Sequence, residues 1–402
     1  MSEVFKARRI TDNVYWVGAV DWSIRDFHGY LTSRGTTYNA FLVMGEKTTL
    51  IDAVKKPFGE ELLARIASVV EPERIDYVVS NHAEPDHTGA LPYVLERVKP
   101  EKVFASKMGA KALAEHYGLD GVTAVENGGK LDIGGLTLSF METRMLHWPD
   151  SMFTILEEER LLFSQDAFGM HLAGLELFAD EIERSVLECE GAKYYANILT
   201  PYSKLVAALL AKVKAAGLAF DVVAPDHGPI YRTPEDIEWV LGAYERWAAQ
   251  RPAPRAAVVY DSMWGSTDRM ARAIAEGLTA SGVEAKVMAL GACHRSDVAT
   301  EVLESGALVV GSPTLNNNLF PTVADVMSYL KGLKFSNLVG AAFGSYGWSG
   351  ESVKQVAALL DEMGVEQAAP PLAVKYVPAE ADLKACRELG SKVAKALLER
   401  TG

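Results

Sequence analysis

Asn81-His82-Ala83-Glu84-Pro85-Asp86-His87 places two imidazoles and two carboxylates within six residues, directly after the strand-like run Ile75 to Ser80. Pro85 stiffens the loop by fixing its own φ. A short loop at the end of a strand is held by the sheet behind it, so side chains there can be aimed at an ion without breaking a ladder of hydrogen bonds. Taken alone, the stretch also fits an ordinary solvated polar loop.

Three later positions repeat the arrangement. His147 follows the strand-like run Leu136 to Met145, Asp166 follows Leu161 to Ser164, and His227 follows Asp221 to Ala224. With His82, Glu84, Asp86 and His87 this makes seven candidate donors, too many for one ion of ordinary coordination. Two ions a few ångströms apart, bridged by a carboxylate, are implied.

Around these loops the first half opens with strand patterns at Val14 to Val17, Tyr38 to Met44 and Thr48 to Ile51. Helical patterns follow at Glu60 to Val70, Ala90 to Val98 and Lys107 to Tyr117. Strand patterns return at Leu131 to Glu142, and Phe153 to Leu156 and Leu161 to Ser164 flank a hairpin turn. Such a mixture predicts packed sheets covered by helices. After a helical stretch from Pro234 to Gln250, Arg251-Pro-Ala-Pro-Arg255 forbids a continuing helix. Residues 1–250 are therefore expected as one domain, 251–255 as a linker and 256–402 as a second domain.

The second half alternates. Strand patterns at Ala256 to Tyr260, Ala285 to Ala289, Ala307 to Val310, Leu338 to Phe343 and Leu372 to Tyr376 are interleaved with helices such as Thr267 to Ser281 and Thr322 to Leu333. This predicts a doubly wound parallel sheet. Its first loop, Ser262-Met263-Trp264-Gly265-Ser266-Thr267, combines hydroxyls, a glycine and a helix N-terminus, the makings of a phosphate cradle. It has no Lys and no P-loop pattern, which argues against a nucleoside triphosphate. Two further strand ends carry Ser312-Pro313-Thr314-Leu315-Asn316-Asn317 and Ser345-Tyr346-Gly347-Trp348-Ser349-Gly350. Ligands of open parallel sheets bind at such carboxyl ends, and Trp264 and Trp348 are suited to stacking on a planar ring.

Composition narrows the class. A chain of 402 residues, 49% hydrophobic, exceeds the ~250 residues at which single cores stop growing and has ordinary Gly and Pro usage. The net charge of −13 argues against a nucleic-acid partner, and the acidity is concentrated in the first half. No apolar run approaches the ~18 residues of a membrane span, and the start lacks a basic-then-apolar leader. Cys189, Cys293 and Cys386 are far apart, with no CxxC pair. A cytoplasmic protein with free thiols, and no membrane association, is expected.

The order His-x-Glu-x-Asp-His, then His, Asp and His, resembles the metallo-β-lactamase fold, in which hydrolases usually have His at the position of Glu84. A carboxylate there hardens the site and favours iron or manganese over zinc. The resemblance is then to the flavodiiron proteins, and it extends through Trp22 to Tyr30, Thr143 to Met152, Pro225-Asp-His-Gly228 and the flavodoxin-like phosphate loop Ser-x-x-Gly-x-Thr. It implies an N-terminal metallo-β-lactamase-like αββα sandwich followed by a flavodoxin-like domain binding FMN. By that resemblance His82, Glu84 and His147 hold one iron, Asp86 and His227 the other, and Asp166 bridges. The counterpart of His87 binds the second iron in some members and turns away in others. His28 and Tyr195 are candidate residues beside the substrate pocket.

The resemblance further implies reduction of O2 to water, NO to N2O, or both, with electrons passing from a rubredoxin-like donor through FMN. It also implies a head-to-tail homodimer, or a dimer of dimers, with the flavin of one subunit beside the irons of the other. No rubredoxin module and no added flavin-reductase domain is found up to Gly402, so a separate donor is expected. The rival readings are a binuclear metal hydrolase with a flavodoxin-like domain, and an electron-transfer flavoprotein with a vestigial metal loop.

Overall fold

The computed structural model describes residues 4–401; the Met1-Ser2-Glu3 start, read above for a leader, and Gly402 lie outside them. The chain divides into two compact units. One comprises residues up to His28, Thr32–Tyr194 and Lys204–Glu245. The other comprises Gly29–Leu31, Tyr195–Ser203 and the chain from Arg246 onward.

In the first unit a seven-stranded sheet runs in the order Arg8–Arg9, Val14–Trp16, Phe41–Met44, Thr48–Ile51, Tyr77–Ser80, Lys102–Ser106, Thr123–Val125. A five-stranded sheet runs Lys130–Asp132, Thr137–Glu142, Met152–Leu156, Leu161–Gln165, Val222–Pro225. Their inner faces share a core in which Phe41 packs on Phe163 at 5.1 Å between ring centroids. The outer face of the larger sheet is covered by helices Gly59–Ala67, Leu91–Val98 and Lys107–Tyr117, which bury Leu62, Leu63, Ile66, Val94 and Leu113. These apolar residues recur at helical spacing, which is why each helix has one face to bury.

Strand direction decides where the site falls. Thr137–Glu142 and Leu161–Gln165 are each antiparallel to Met152–Leu156, and Leu161–Gln165 is parallel to Val222–Pro225. Three strands of the smaller sheet therefore end at the same edge, and each leads into a segment carrying His147, Asp166 or His227.

Two expected strands are broken. Tyr38 to Met44 divides into Thr36–Tyr38, paired with Ala19–Asp21, and Phe41–Met44 in the large sheet. The break falls at Asn39, whose amide donates to Pro225 O at 2.7 Å and Gly228 O at 2.9 Å. Leu131 to Glu142 is a hairpin, Lys130–Asp132 and Thr137–Glu142, turning at Gly134 and Gly135, both with positive φ. That Gly-Gly pair is a turn signal, and an unbroken strand does not accommodate it.

In the second unit all neighbours in the sheet are parallel. The order is Glu284–Ala289, Arg255–Tyr260, Ala307–Gly311, Val339–Tyr346, with Glu366–Gln367 and Leu372–Lys375 both on the far side of Val339–Tyr346. This is the flavodoxin order 2-1-3-4-5, in which the reversal between the first and third strands opens a crevice at their carboxyl ends. Helix Ser266–Ala280 packs on Glu380–Thr401, a helix not anticipated above although Leu383, Cys386, Leu389, Val393 and Leu397 recur at helical spacing.

Among the described residues no helix is long and apolar enough to cross a membrane. Cys189, Cys293 and Cys386 form no disulfide with one another. The acidity of the first half is partly internal: Asp52, Glu84, Asp86, Asp150, Asp166 and Asp226 are all buried.

Candidate metal and flavin sites

At the shared strand edge the donors converge in two groups: His82, Glu84, His147 and Asp166, and Asp86, His87 and His227. In the first, Nε2 of His82 lies 3.2 Å from Glu84 Oε2 and 3.1 Å from Asp166 Oδ2. His147 Nε2 is 3.1 Å from each of the same two oxygens. In the second, Asp86 presents Oδ1 to His87 Nε2 at 3.4 Å and Oδ2 to His227 Nε2 at 3.2 Å. Asp166 joins the groups: Oδ2 faces the first, while Oδ1 lies 3.2 Å from His87 Nε2 and 3.5 Å from His227 Nε2.

These contacts test whether cations fit. Two donors bound at right angles to one ion through bonds of about 2.1 Å lie about 3 Å apart. Moreover, both oxygens of Asp86, Oδ1 of Asp166 and both nitrogens of His87 are buried yet make no hydrogen bond. Each such group costs about 1–3 kcal/mol unless something else satisfies it. Lone pairs converging at close range without hydrogen-bond geometry are what a common cation accounts for.

The electrostatics agree. Burial opposes charge on the histidines, yet the neighbouring carboxylates outweigh it. His147 is raised to about 9, chiefly by Asp166 and Glu84, and His87 to about 10, by Asp86 and Asp166. His82 is likewise raised well above its ordinary value. Burial would also raise the Asp166 carboxyl, but the charges of His87 and His82 hold it well below the carboxylate range. Without a metal, protons on imidazole balance the carboxylates.

The loops are fixed from behind. Asp150 Oδ2 accepts from His82 Nδ1 at 3.0 Å and from the Ala83 N–H at 2.6 Å. His227 Nδ1 donates to Thr37 O at 2.6 Å. Gly228, next in the chain, has φ +76°, and a Cβ there would meet Met170 O at 2.7 Å, so a side chain is excluded. Of the two pocket residues anticipated beside the metal ligands, His28 is largely exposed and holds Nε2 3.4 Å from Glu84 Oε1. Tyr195 instead pairs its hydroxyl with Ser203 at 3.1 Å and packs on Trp247. The tyrosine at the cluster is its neighbour Tyr194, whose ring lies 6.1 Å from that of His227. Burial and the charge of Asp166 keep its phenol protonated. His171 also packs there, 4.7 Å from His227 between ring centroids. Neither was anticipated, nor was Asp150; an acid three residues beyond a ligand histidine was the available signal.

In the second unit the crevice has a volume of about 570 Å3. Met263, Trp264 and Ser266 line it from the first loop, and Pro313, Thr314, Leu315, Asn316 and Asn317 from the second. Ser345, Tyr346, Gly347, Trp348 and Ser349 line it from the third. Gly265, with φ +83°, turns the chain into helix Ser266–Ala280. Asn316 and Asn317 both have positive φ and turn a hairpin between Thr314–Leu315 and Asn318–Leu319, the turn that Asn tolerates best after Gly. Ser262, Thr267 and Ser312 act one step back. Ser262 Oγ accepts the Gly265 N–H, buried Thr267 pairs with Ser345 Oγ at 2.9 Å, and Ser312 Oγ accepts the Phe320 N–H. Gly350 precedes helix Glu351–Glu362. Tyr376 and Val377, not anticipated, add a fourth wall just past the strand Leu372–Lys375. Trp264 and Trp348 are 94% and 88% exposed, leaving their faces free for a planar ring.

A carboxylate-rich binuclear site on a β-lactamase-like sandwich, joined in one chain to a flavodoxin-like crevice, defines a metal-dependent flavoprotein. Comparison with known proteins agrees. Residues 36–228 match the ODP family β-lactamase model and residues 258–390 the flavodoxin model. The chain is 45% identical over 98% of each chain to the rubredoxin-oxygen oxidoreductase of Megalodesulfovibrio gigas. It is 44% identical to the nitric oxide reductase of Moorella thermoacetica, over 96% of this chain and 97% of that one. Superposed on the crystal structure of the flavodiiron protein from Giardia intestinalis, it gives a TM-score of 0.95 at 33% identity, covering 100% of this chain and 98% of the other. The chain belongs to the flavodiiron protein family.

Proposed function

We propose that the protein is an oxidoreductase that reduces O2 to water, NO to N2O, or both, at a non-haem diiron site, with electrons delivered through FMN by a rubredoxin-type donor. The observation that carries this reading is Asp166, whose two oxygens face two separate donor groups in a chain that also forms a flavin crevice. The names of the two curated relatives, an oxygen oxidoreductase and a nitric oxide reductase, support the substrates, and the first supports the donor.

His82, Glu84 and His147 would hold one iron, Asp86, His87 and His227 the other, and Asp166 both. Bound iron and FMN supply the redox chemistry, FMN passing electrons singly or in pairs. The rest falls to the chain. Glu84 and Asp166 place formal negative charge beside the donors, which suits iron in its higher oxidation state. Tyr194, held protonated by burial and by the charge of Asp166, stands at the edge of the cluster. Phe27 packs 6.4 Å from His227 and 5.0 Å from His171 between centroids, and His28 lies beside Glu84. In the crevice, backbone amides and hydroxyls at the start of Ser266–Ala280 would take the FMN phosphate.

A head-to-tail homodimer is part of this reading, because electron transfer needs a flavin close to the irons. A cytoplasmic location accords with three cysteines that form no disulfide with one another. The test is metal and flavin analysis of protein purified without added metal, followed by anaerobic reduction and mixing with each gas in the presence of reduced rubredoxin. About two irons and one FMN per chain with gas turnover is expected; zinc with esterase or lactamase turnover would indicate a hydrolase.

A further inference from the structure

His82 and His227, one from each donor group, are backed by different chemistry. Behind His82 stands a carboxylate: Asp150 Oδ2 accepts from Nδ1 at 3.0 Å, and Asp150 is 2% exposed. Behind His227 stands a neutral backbone carbonyl, Thr37 O, with the Thr36 hydroxyl 3.3 Å away. His87 Nδ1 makes no hydrogen bond, and Asp226 Oδ2 lies 3.5 Å from it.

The difference has a direction. A carboxylate on the far nitrogen fixes the tautomer that leaves the near nitrogen free for metal, and it makes the imidazole a stronger donor. A carbonyl does the first of these and little of the second. The same Asp150 Oδ2 accepts the Ala83 N–H at 2.6 Å, which holds the carboxylate beside His82, and the Asp150 backbone carbonyl accepts from Ser106 Oγ at 2.6 Å. Glu84 in this group and Asp86 in the other match as carboxylate donors, so the difference lies behind the histidines.

We propose that Asp150 is a positioning residue that makes the two iron positions unequal. By strengthening His82 as a donor it lowers the potential of the ion held by His82, Glu84 and His147, so that the ion held by Asp86, His87 and His227 is reduced first. The inference rests on the diiron reading above and adds to it an order of reduction and the residue that sets it.

The experiment is a reductive titration of the iron-loaded, FMN-containing protein, followed by Mössbauer and electron paramagnetic resonance spectroscopy. In the wild type two iron couples at separate potentials are expected. In Asp150→Asn, which keeps the shape and removes the charge, the lower couple moves up toward the other, the higher stays in place, and the window of half-reduced iron narrows. Asp150→Glu restores the separation at least in part. Coincident couples in the wild type overturn the inference without any variant, as do equal movement of both couples or movement of neither. A merely structural role would lower iron content in both variants without moving one couple alone. Protein isolated without iron would overturn the diiron reading itself, a failure recognisable before any titration.

Discussion

Asp52 clamps the head of the metal loop by gripping Asn81 twice: Oδ1 accepts its backbone N–H at 2.6 Å and Oδ2 its side-chain amide at 2.7 Å. Asn81 Oδ1 in turn accepts from Thr154 Oγ1 at 2.6 Å, tying the loop to the second sheet. All three residues are buried. Asp52→Ala leaves two buried donors unpaired, so unfolding free energy should fall by about 2 kcal/mol or more and iron content should drop. Chemical denaturation and metal analysis check this. A variant with unchanged stability and full iron would show that the loop needs no clamp.

Ion uptake should expel protons. In the metal-free protein His147, raised to about 9, and His87, raised to about 10, are protonated at pH 7, as is His82, while Asp166 is already ionised. The proton count lost on binding therefore comes from imidazole, and affinity should climb as pH rises from 6 through 9. Anaerobic ferrous titration of stripped protein in weak buffer, with a pH indicator, measures the release. A signal no larger than that of buffer alone contradicts the charge balance drawn for the cluster.

Glu84→His should shift the site toward zinc and abolish gas reduction while FMN stays bound, because imidazole removes one anionic donor from the group around His82 and His147. Metal content after expression in medium holding both metals decides it. Retained iron with full activity would mean that this carboxylate does not select the metal.

Thr267→Val removes the hydroxyl paired with Ser345 Oγ across the base of the flavin crevice. Loss of one such bond costs about 1 kcal/mol of stability, and with Ser345 no longer fixed in the crevice wall FMN should bind more weakly, with iron content unchanged. Flavin titration of the apoprotein checks both parts; joint loss of iron and flavin would mean that the two sites are linked.

The seven donors were legible because each sits just beyond a strand-like run, and the flavin loops because the parallel sheet is announced by alternation. The residues behind them were not. Asp52, Asp150 and Asp226 look like any other acid until the sheets bring them under the loop. Tyr194 and Tyr195 are adjacent where helix Arg184–Tyr194 passes into the wide turn Tyr195–Leu199. Neighbouring helical residues point about 100° apart, so deciding which tyrosine meets the cluster requires a phase that the flanking residues do not supply. Asn39 reads as part of a strand because its role, bonding to Pro225 and Gly228, depends on residues almost two hundred positions away.

The second unit takes in Gly29–Leu31 and Tyr195–Ser203 as well as the chain from Arg246. Within it Arg295 Nε donates to Gly29 O at 3.1 Å, Leu31 N–H to Ser296 Oγ at 3.3 Å, and Tyr329 to Asn197 Oδ1 at 2.8 Å. An expression fragment cut at the proline-rich connector would leave all three of those pairs half made. Its flavin crevice would be whole in sequence, yet the face formed by Arg295, Ser296 and Tyr329 would be bare, and such a fragment is expected to be less soluble than the intact chain.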